Sequence, residues 1–474
     1  MIPIIGFAPD ADPAVPGVIT ECENFIPTEG GFKGAPAPVQ LDIAALSATC
    51  VGASSVTNLS STVRFIAGTS TKLYELSGST WTDRSGSTYA LGSDDRWSFV
   101  QFGNSTLAAT PNEPIQRSTS AAFSDIAGAP QAKIIEAAQG FALAFNTSSF
   151  ADEWYCCAYL DDTDWTLSAG NQCVKGRLIG SPGPINAAKR FGDDVIAYKA
   201  TSMFVGTYVG APEVWRWRQV STDVGCVGIE AVVATPVGHI FVGNDNVYLF
   251  DGTTPKPLAT GVIRKWLYDD MSSLHKYKTI CLWDRGANLV WIYYPSSSSS
   301  GAIDRCAVYH ILTQRWGLAH STIESAAAYS SGAFTYDTGP SFTYDAGLQI
   351  PYDSGFWISG RSTPAVFDSV HKLSTLSGVC ASSYFTTGDV GDDEGYAACM
   401  NLRIRYSQKP TTSTATGYYK DESGTVLTSG SSQAMADGRH NLRQSARWHR
   451  FKVETAGDYQ CVGFRPEFVP AGRR

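Results

Sequence analysis

Apolar and polar positions alternate with a period of two along most of this chain. The alternating runs are four to six residues long and are broken by clusters of Gly, Ser, Asn, Asp and Thr. That pattern predicts short antiparallel strands joined by tight turns. The clearest unit is Arg64-Phe65-Ile66-Ala67, the turn Gly68-Thr69-Ser70-Thr71, then Lys72-Leu73-Tyr74-Glu75-Leu76, a second turn and Trp81. A second copy is His239-Ile240-Phe241-Val242, Gly243-Asn244-Asp245-Asn246, Val247-Tyr248-Leu249-Phe250. A third runs from Phe356 through Gly360-Arg361-Ser362-Thr363 to Ala365-Val366-Phe367-Asp368-Ser369. Weaker copies begin near Ser105, Gly140, Asp194 and Asn288, several ending in tryptophan (Trp165, Trp215 and Trp217, Trp316).

The seven starts, at 64, 105, 140, 194, 239, 288 and 356, are 35 to 68 residues apart, with three of the six gaps in the forties. A unit of that size has three or four strands and cannot bury its apolar face alone. Radial stacking solves the problem, so residues 41–375 are expected to form a β-propeller of six or seven blades. A pair of antiparallel sandwiches is the competing arrangement, because their strands also recur at short spacing.

The flanks differ. Residues 1–40 are rich in proline and glycine and read as an extended arm. Its apolar positions (Ile4, Ile5, Phe7, Val18, Ile19, Phe25, Ile26) are expected to pair with strands of the body or of a neighbour. Residues 334–355 hold an octad repeat, Phe334-Thr335-Tyr336-Asp337, Phe342-Thr343-Tyr344-Asp345 and Ile350-Pro351-Tyr352-Asp353. It reads either as a hairpin stack or as an exposed loop with a row of tyrosines. Residues 376–474 read as a C-terminal β-sandwich. Ile263 to Leu274 is one of few plausible helices, so the class is all-β.

Composition agrees with this reading. Charged residues are 17%, aromatics 12%, and there are 45 glycines and 23 prolines, unlike a helix-rich enzyme. No apolar run approaches the roughly 18 residues that a membrane helix needs. Met1 to Asp10 has neither a basic nor a long apolar region, so no secretion signal is expected. Eleven cysteines occur without a CxxC pair, and seven histidines are scattered. The expectation is free, buried thiols in a reducing compartment, with no metal or cofactor. Net charge is −8, but residues 439–474 carry a net +5 and the remainder −13. The body should repel nucleic acid, and only the C-terminal end should attract anions.

No Walker A sequence, GxGxxG after a strand, HExxH or GxSxG is present. Two carboxylate clusters, Asp161-Asp162-Thr163-Asp164 and Asp392-Asp393-Glu394, read as solvated turns, and the chain is expected not to be an enzyme. The most specific stretch is Asn441 to Phe451. Arg443, Arg447, Trp448 and Arg450 there are candidates for an interface with a subunit or a partner protein. The plainer readings are edge-strand charge that prevents aggregation, or pairing within the same domain with Asp389, Asp392 or Asp393.

Three segments give a resemblance. They are Gly6-Phe7-Ala8-Pro9-Asp10-Ala11-Asp12-Pro13 with Pro16-Gly17-Val18-Ile19-Thr20, then Gly30-Gly31-Phe32-Lys33-Gly34-Ala35-Pro36, and Ser445-Ala446-Arg447-Trp448-His449-Arg450-Phe451 with Thr455-Ala456-Gly457-Asp458-Tyr459. In texture and order, over nearly the whole chain, the sequence resembles the tail nozzle (tubular tail) proteins of short-tailed, podovirus-type bacteriophages. The resemblance implies a β-propeller subunit with added β-domains. It also implies a six-copy ring below the adaptor and portal, neighbouring tail fibres or spikes, and assembly in the host cytoplasm. Genomic DNA would pass through such a ring during ejection without sequence-specific binding, and no stable membrane association is implied. A carbohydrate-binding or carbohydrate-cleaving propeller acting in receptor recognition is the alternative.

Overall fold

The computed structural model describes residues 1–330, 362–422 and 424–472. The octad repeat at 334–355 lies outside the described residues. Among the described residues there are six separate four-stranded sheets, a ten-stranded sheet and a seven-stranded sheet. Five of the four-stranded sheets follow one another along the chain, at 53–83, 98–125, 132–177, 187–221 and 232–257. The first four strands of the ten-stranded sheet, at 280–323, make the next unit. The last combines Ser325–Ser330, Ser362–Phe367 and Leu373–Gly378 with Ala37–Gln40.

The innermost strands of these units touch in chain order, and Ser325–Ser330 returns to touch Ala53–Thr57. The units are therefore the blades of a closed β-propeller, numbered 1 to 7 below in chain order. The second strands of blades 1 to 6 begin at residues 63, 105, 141, 194, 238 and 289, each within one residue of a repeat start. Trp97 and Trp316 are packing residues. Trp97 is buried, donates to the Thr69 carbonyl at 2.9 Å, and lies against Gly68 so closely that a Cβ there would stand 2.2 Å from its ring. Trp316 is buried beside Tyr309, ring centroids 4.7 Å apart.

The arm is woven into the body. Ala37–Gln40 is the outer strand of blade 7, in register with Leu373–Gly378. A strand from the start of the chain thus covers an edge that the blade's own residues leave open. Phe25–Pro27 pairs with the outer strand of blade 6 (Leu318 opposite Phe25), and Phe32–Gly34 pairs with Phe25–Pro27 and with Gln460–Gly472. The blade 6 sheet thereby runs without a break into the C-terminal strands Gln460–Gly472, Tyr396–Gln408 and Gln444–Ala446.

The seven-stranded sheet, built on Val18–Glu23, Ser383–Thr387, Trp448–Ala456 and Thr412–Lys420, packs against this extension to form the sandwich. Inward positions alternate along each strand: Cys22, Phe385, Phe451, Val453 and Ala415 on one sheet, Leu402, Ile404, Cys461 and Phe464 on the other. The expected helix is shorter than the sequence pattern suggests, Arg264–Asp270. Its first free amides, Lys265 and Trp266, donate to the Asp10 carboxylate of the arm at 2.5 and 3.0 Å, a long-range substitute for a local N-cap. Among the described residues, no helix is long and apolar enough to cross a membrane.

Candidate functional site

A hollow of about 540 Å³ lies where the inner strands of the blades begin, at one end of the propeller. It is crossed by ion pairs. Arg96, on the loop entering blade 2, pairs with Glu230 at the entry to blade 5 and donates to the Ser325 hydroxyl of blade 7 at 3.2 Å. Asp94 on the same loop pairs with Lys278, before blade 6, at 3.1 Å. Burial raises the Glu230 carboxyl above its ordinary value, and the Arg96 guanidinium opposes that rise. At the closure of the ring, Glu324 accepts from the Cys50 amide at 2.9 Å and meets His371 Nδ1 at 2.7 Å, tying blade 7 to the chain entering blade 1. These contacts tie the entries of blades 1, 2, 5, 6 and 7 to one another.

The carboxylate clusters separate into different roles. Asp161 and Asp164 are turn residues, accepting from the Thr163 and Thr166 amides at 2.9 Å each. These hydrogen bonds hold both carboxyls below their ordinary range. Asp162 departs from the solvated-turn expectation. It is buried and pairs with Arg117 of blade 2 at 2.7 Å, which makes it a strut between blades 2 and 3. Asp392 accepts from the Glu394 and Gly395 amides, as a turn residue does. Among the described residues, no group of three or more His, Cys, Asp or Glu could hold a metal ion. All eleven cysteines are buried free thiols, and burial raises Cys50 and Cys226 to about 12.

The basic segment is only partly a surface. Arg450 pairs with Asp389 at 2.9 Å, and Lys420 reaches the other oxygen of the same carboxylate at 2.7 Å. Trp448 donates to Asp393 at 2.7 Å, and the Arg447 guanidinium lies 5.2 Å from the centre of the Tyr396 ring. Arg450 and Trp448 are thus held by their own domain, through two of the acids named as alternatives. Arg443 is exposed, at a positive φ of 52°. The larger exposed basic surface, Arg403, Arg405 and Arg465, escaped the sequence reading. These residues are scattered in the chain and meet only through the pairing of Tyr396–Gln408 with Gln460–Gly472. The alternation Arg403-Ile404-Arg405 was the one local sign of it.

No family model matches the chain, and no curated protein matches it. Solved structures do match. BamB from Moraxella catarrhalis aligns with a TM-score of 0.40 at 10% identity, over 74% of this chain and 92% of that one. The computationally designed Ika8 protein aligns with a TM-score of 0.39 at 9% identity, over 72% and 100%. YCF48 bound to D1 peptide aligns with a TM-score of 0.35 at 16% identity, over 60% and 84%.

Proposed function

We propose that this chain is a structural protein of the virion, the nozzle subunit of a short-tailed phage tail, and that it has no enzymatic activity. Copies assemble in the host cytoplasm into a ring, six in the family it resembles, beneath the adaptor. Tail fibres or spikes are further candidate neighbours. One observation carries the reading: the three segments that bear the resemblance, far apart in the chain, come together at the joint between propeller and sandwich. Gly6–Phe7 runs beside Val18–Ile19, Ile19 pairs with Thr387, whose hydroxyl accepts from the Phe451 amide at 3.1 Å, and Phe7, Ile19, Phe32, Phe451 and Tyr459 share one buried core. Phe32 and Lys33 pair with Cys461 and Gln460, and the Asp389 amide donates to the Pro13 carbonyl at 2.7 Å. A joint of this kind holds two bodies at a fixed angle, which a closed ring needs from each subunit.

The test is size-exclusion chromatography with light scattering on the full chain, followed by electron microscopy and a glycan array. A large ring without glycan binding is expected. A monomer or trimer that binds or cleaves glycans would replace this reading with the carbohydrate one.

A further inference from the structure

The two outer faces of the sandwich carry opposite charge. On the ten-stranded sheet, Arg403 stands directly opposite Arg465, and Arg405 follows two residues along the strand. All three are exposed. Opposed like charges about 5 Å apart across a strand pair destabilise a sheet; Glu467, two residues from Arg465 on the same strand, offsets one of the three and leaves guanidinium in excess. Among the described residues none of the three has a carboxylate partner, and the one bond they make is from Arg405 to Met1 Sδ at 3.7 Å. The nearby Glu467 is engaged by Asn401.

On the seven-stranded sheet the outward row is Glu23, Tyr384, Glu454 and Thr414, one residue from each of four adjacent strands, with Glu21 beside it. This row lines a hollow of about 350 Å³, and Glu21, Glu23 and Tyr384 also line an adjoining one of about 180 Å³. Lys452 pairs with Glu454 at 2.7 Å, His320 meets Glu23 at 3.3 Å, and Arg305, which also lines the smaller hollow, stands 4.0 Å from Asp270. Among the described residues Glu21 and Glu23 have no Lys or Arg partner, so this face keeps an excess of carboxylate while the other keeps an excess of guanidinium.

We infer that the Arg403–Arg405–Arg465 face docks on the Glu21–Glu23–Glu454 hollow of a second copy of this chain. The two faces are back to back on one sandwich. A contact between them is therefore heterologous and leaves both faces of the pair available to further copies. Guanidinium groups suit carboxylates set in a polar hollow; the Tyr384 ring is already covered by Lys452, 4.3 Å from its centre. A nucleic-acid partner fits less well, because the chain as a whole carries −8 and repels a polyanion at long range. This inference rests on the self-assembly proposed above.

Sedimentation velocity on the full chain at low and high salt tests it, with Arg403→Glu/Arg465→Glu, Glu21→Lys/Glu23→Lys and the combination of all four. Juxtaposed like charges cost several kcal/mol, so each double reversal should weaken association by more than about tenfold, and the combination should restore it. Circular dichroism checks that the variants fold, and the milder Arg403→Gln/Arg465→Gln variant stands in for any that does not. A wild type that assembles while both double reversals assemble equally well overturns this surface and leaves the nozzle reading intact. A wild type that stays monomeric at every concentration overturns the self-assembly reading, and this surface with it.

Discussion

Replacing Asp389 by Asn separates a structural role for the basic segment from an interface role. The Asp389 side chain is 6% exposed and holds two cations, Lys420 at 9% and Arg450 at 17% exposure. Removing one partner of a buried ion pair costs about 3–5 kcal/mol, because the charge left behind stays out of water without compensation. Here one carboxylate serves two cations, while the asparagine oxygen can still accept one hydrogen bond, so about 4 kcal/mol is expected. With a urea m-value of about 2 kcal/mol per molar, the midpoint of the sandwich transition should fall by about 2 M. Hydrogen exchange over residues 383–456 should show protection lost there first, with the blades at 132–257 unaffected. Arg443→Glu, at an exposed position, is the control and should change stability by less than about 0.5 kcal/mol. If Asp389→Asn moved the midpoint no more than Arg443→Glu does, the argument that Arg450 belongs to its own domain would fail.

His239 is buried between blades 4 and 5, with Nε2 on the Arg190 carbonyl and Nδ1 on the Tyr198 hydroxyl, both at 2.8 Å. Burial lowers its pKa from 6.5 to about 4. The unfolded chain therefore takes up the proton first, and this site's stability, complete above about pH 6.5, should drain away as pH falls towards 4. His310, His440 and His449 are lowered by burial too and act in the same direction. His239→Gln should flatten the pH profile of the melting midpoint, and an unchanged slope between pH 7 and 4.5 would count against this account. Gly31→Val should destabilise the joint by about 3 kcal/mol or more, since a Cβ at Gly31 would stand 2.3 Å from the Cys461 carbonyl oxygen; a melting curve matching wild type would show that the strand can shift. Asp162→Asn should cost about 2 kcal/mol, since Arg117 loses its charged partner but is one-third exposed, whereas Asp161→Asn with Asp164→Asn should cost about 1 kcal/mol or less; equal denaturation midpoints for the two variants would contradict the strut role.

Much of the propeller was legible in the chain because its signals are local. Two-residue alternation and Gly/Asn turns act within a hairpin, so the starts at 64, 105, 140, 194, 239 and 288 mark second strands of blades. The helix was overdrawn at its C-terminal end: apolar spacing extends to Leu274, but the helical backbone stops at Asp270, with Met271 extended. What the sequence could not express is partner choice between strands far apart in the chain. Ala37–Gln40 reads as part of a loose arm until Leu373–Gly378 is placed beside it, and the pairing of Phe32 with Cys461 spans most of the molecule. Arg447, Trp448 and Arg450 looked like one basic patch because they are neighbours in sequence, yet along a strand residues 448 and 450 share a face on which Asp389 and Asp393 are brought to them from another segment. Arg403 and Arg465 looked unrelated and form the patch. Alternation determines which side chains share a face of one strand; only the register between strands decides which charges stand opposite one another, and that register is set by burial of the sandwich core.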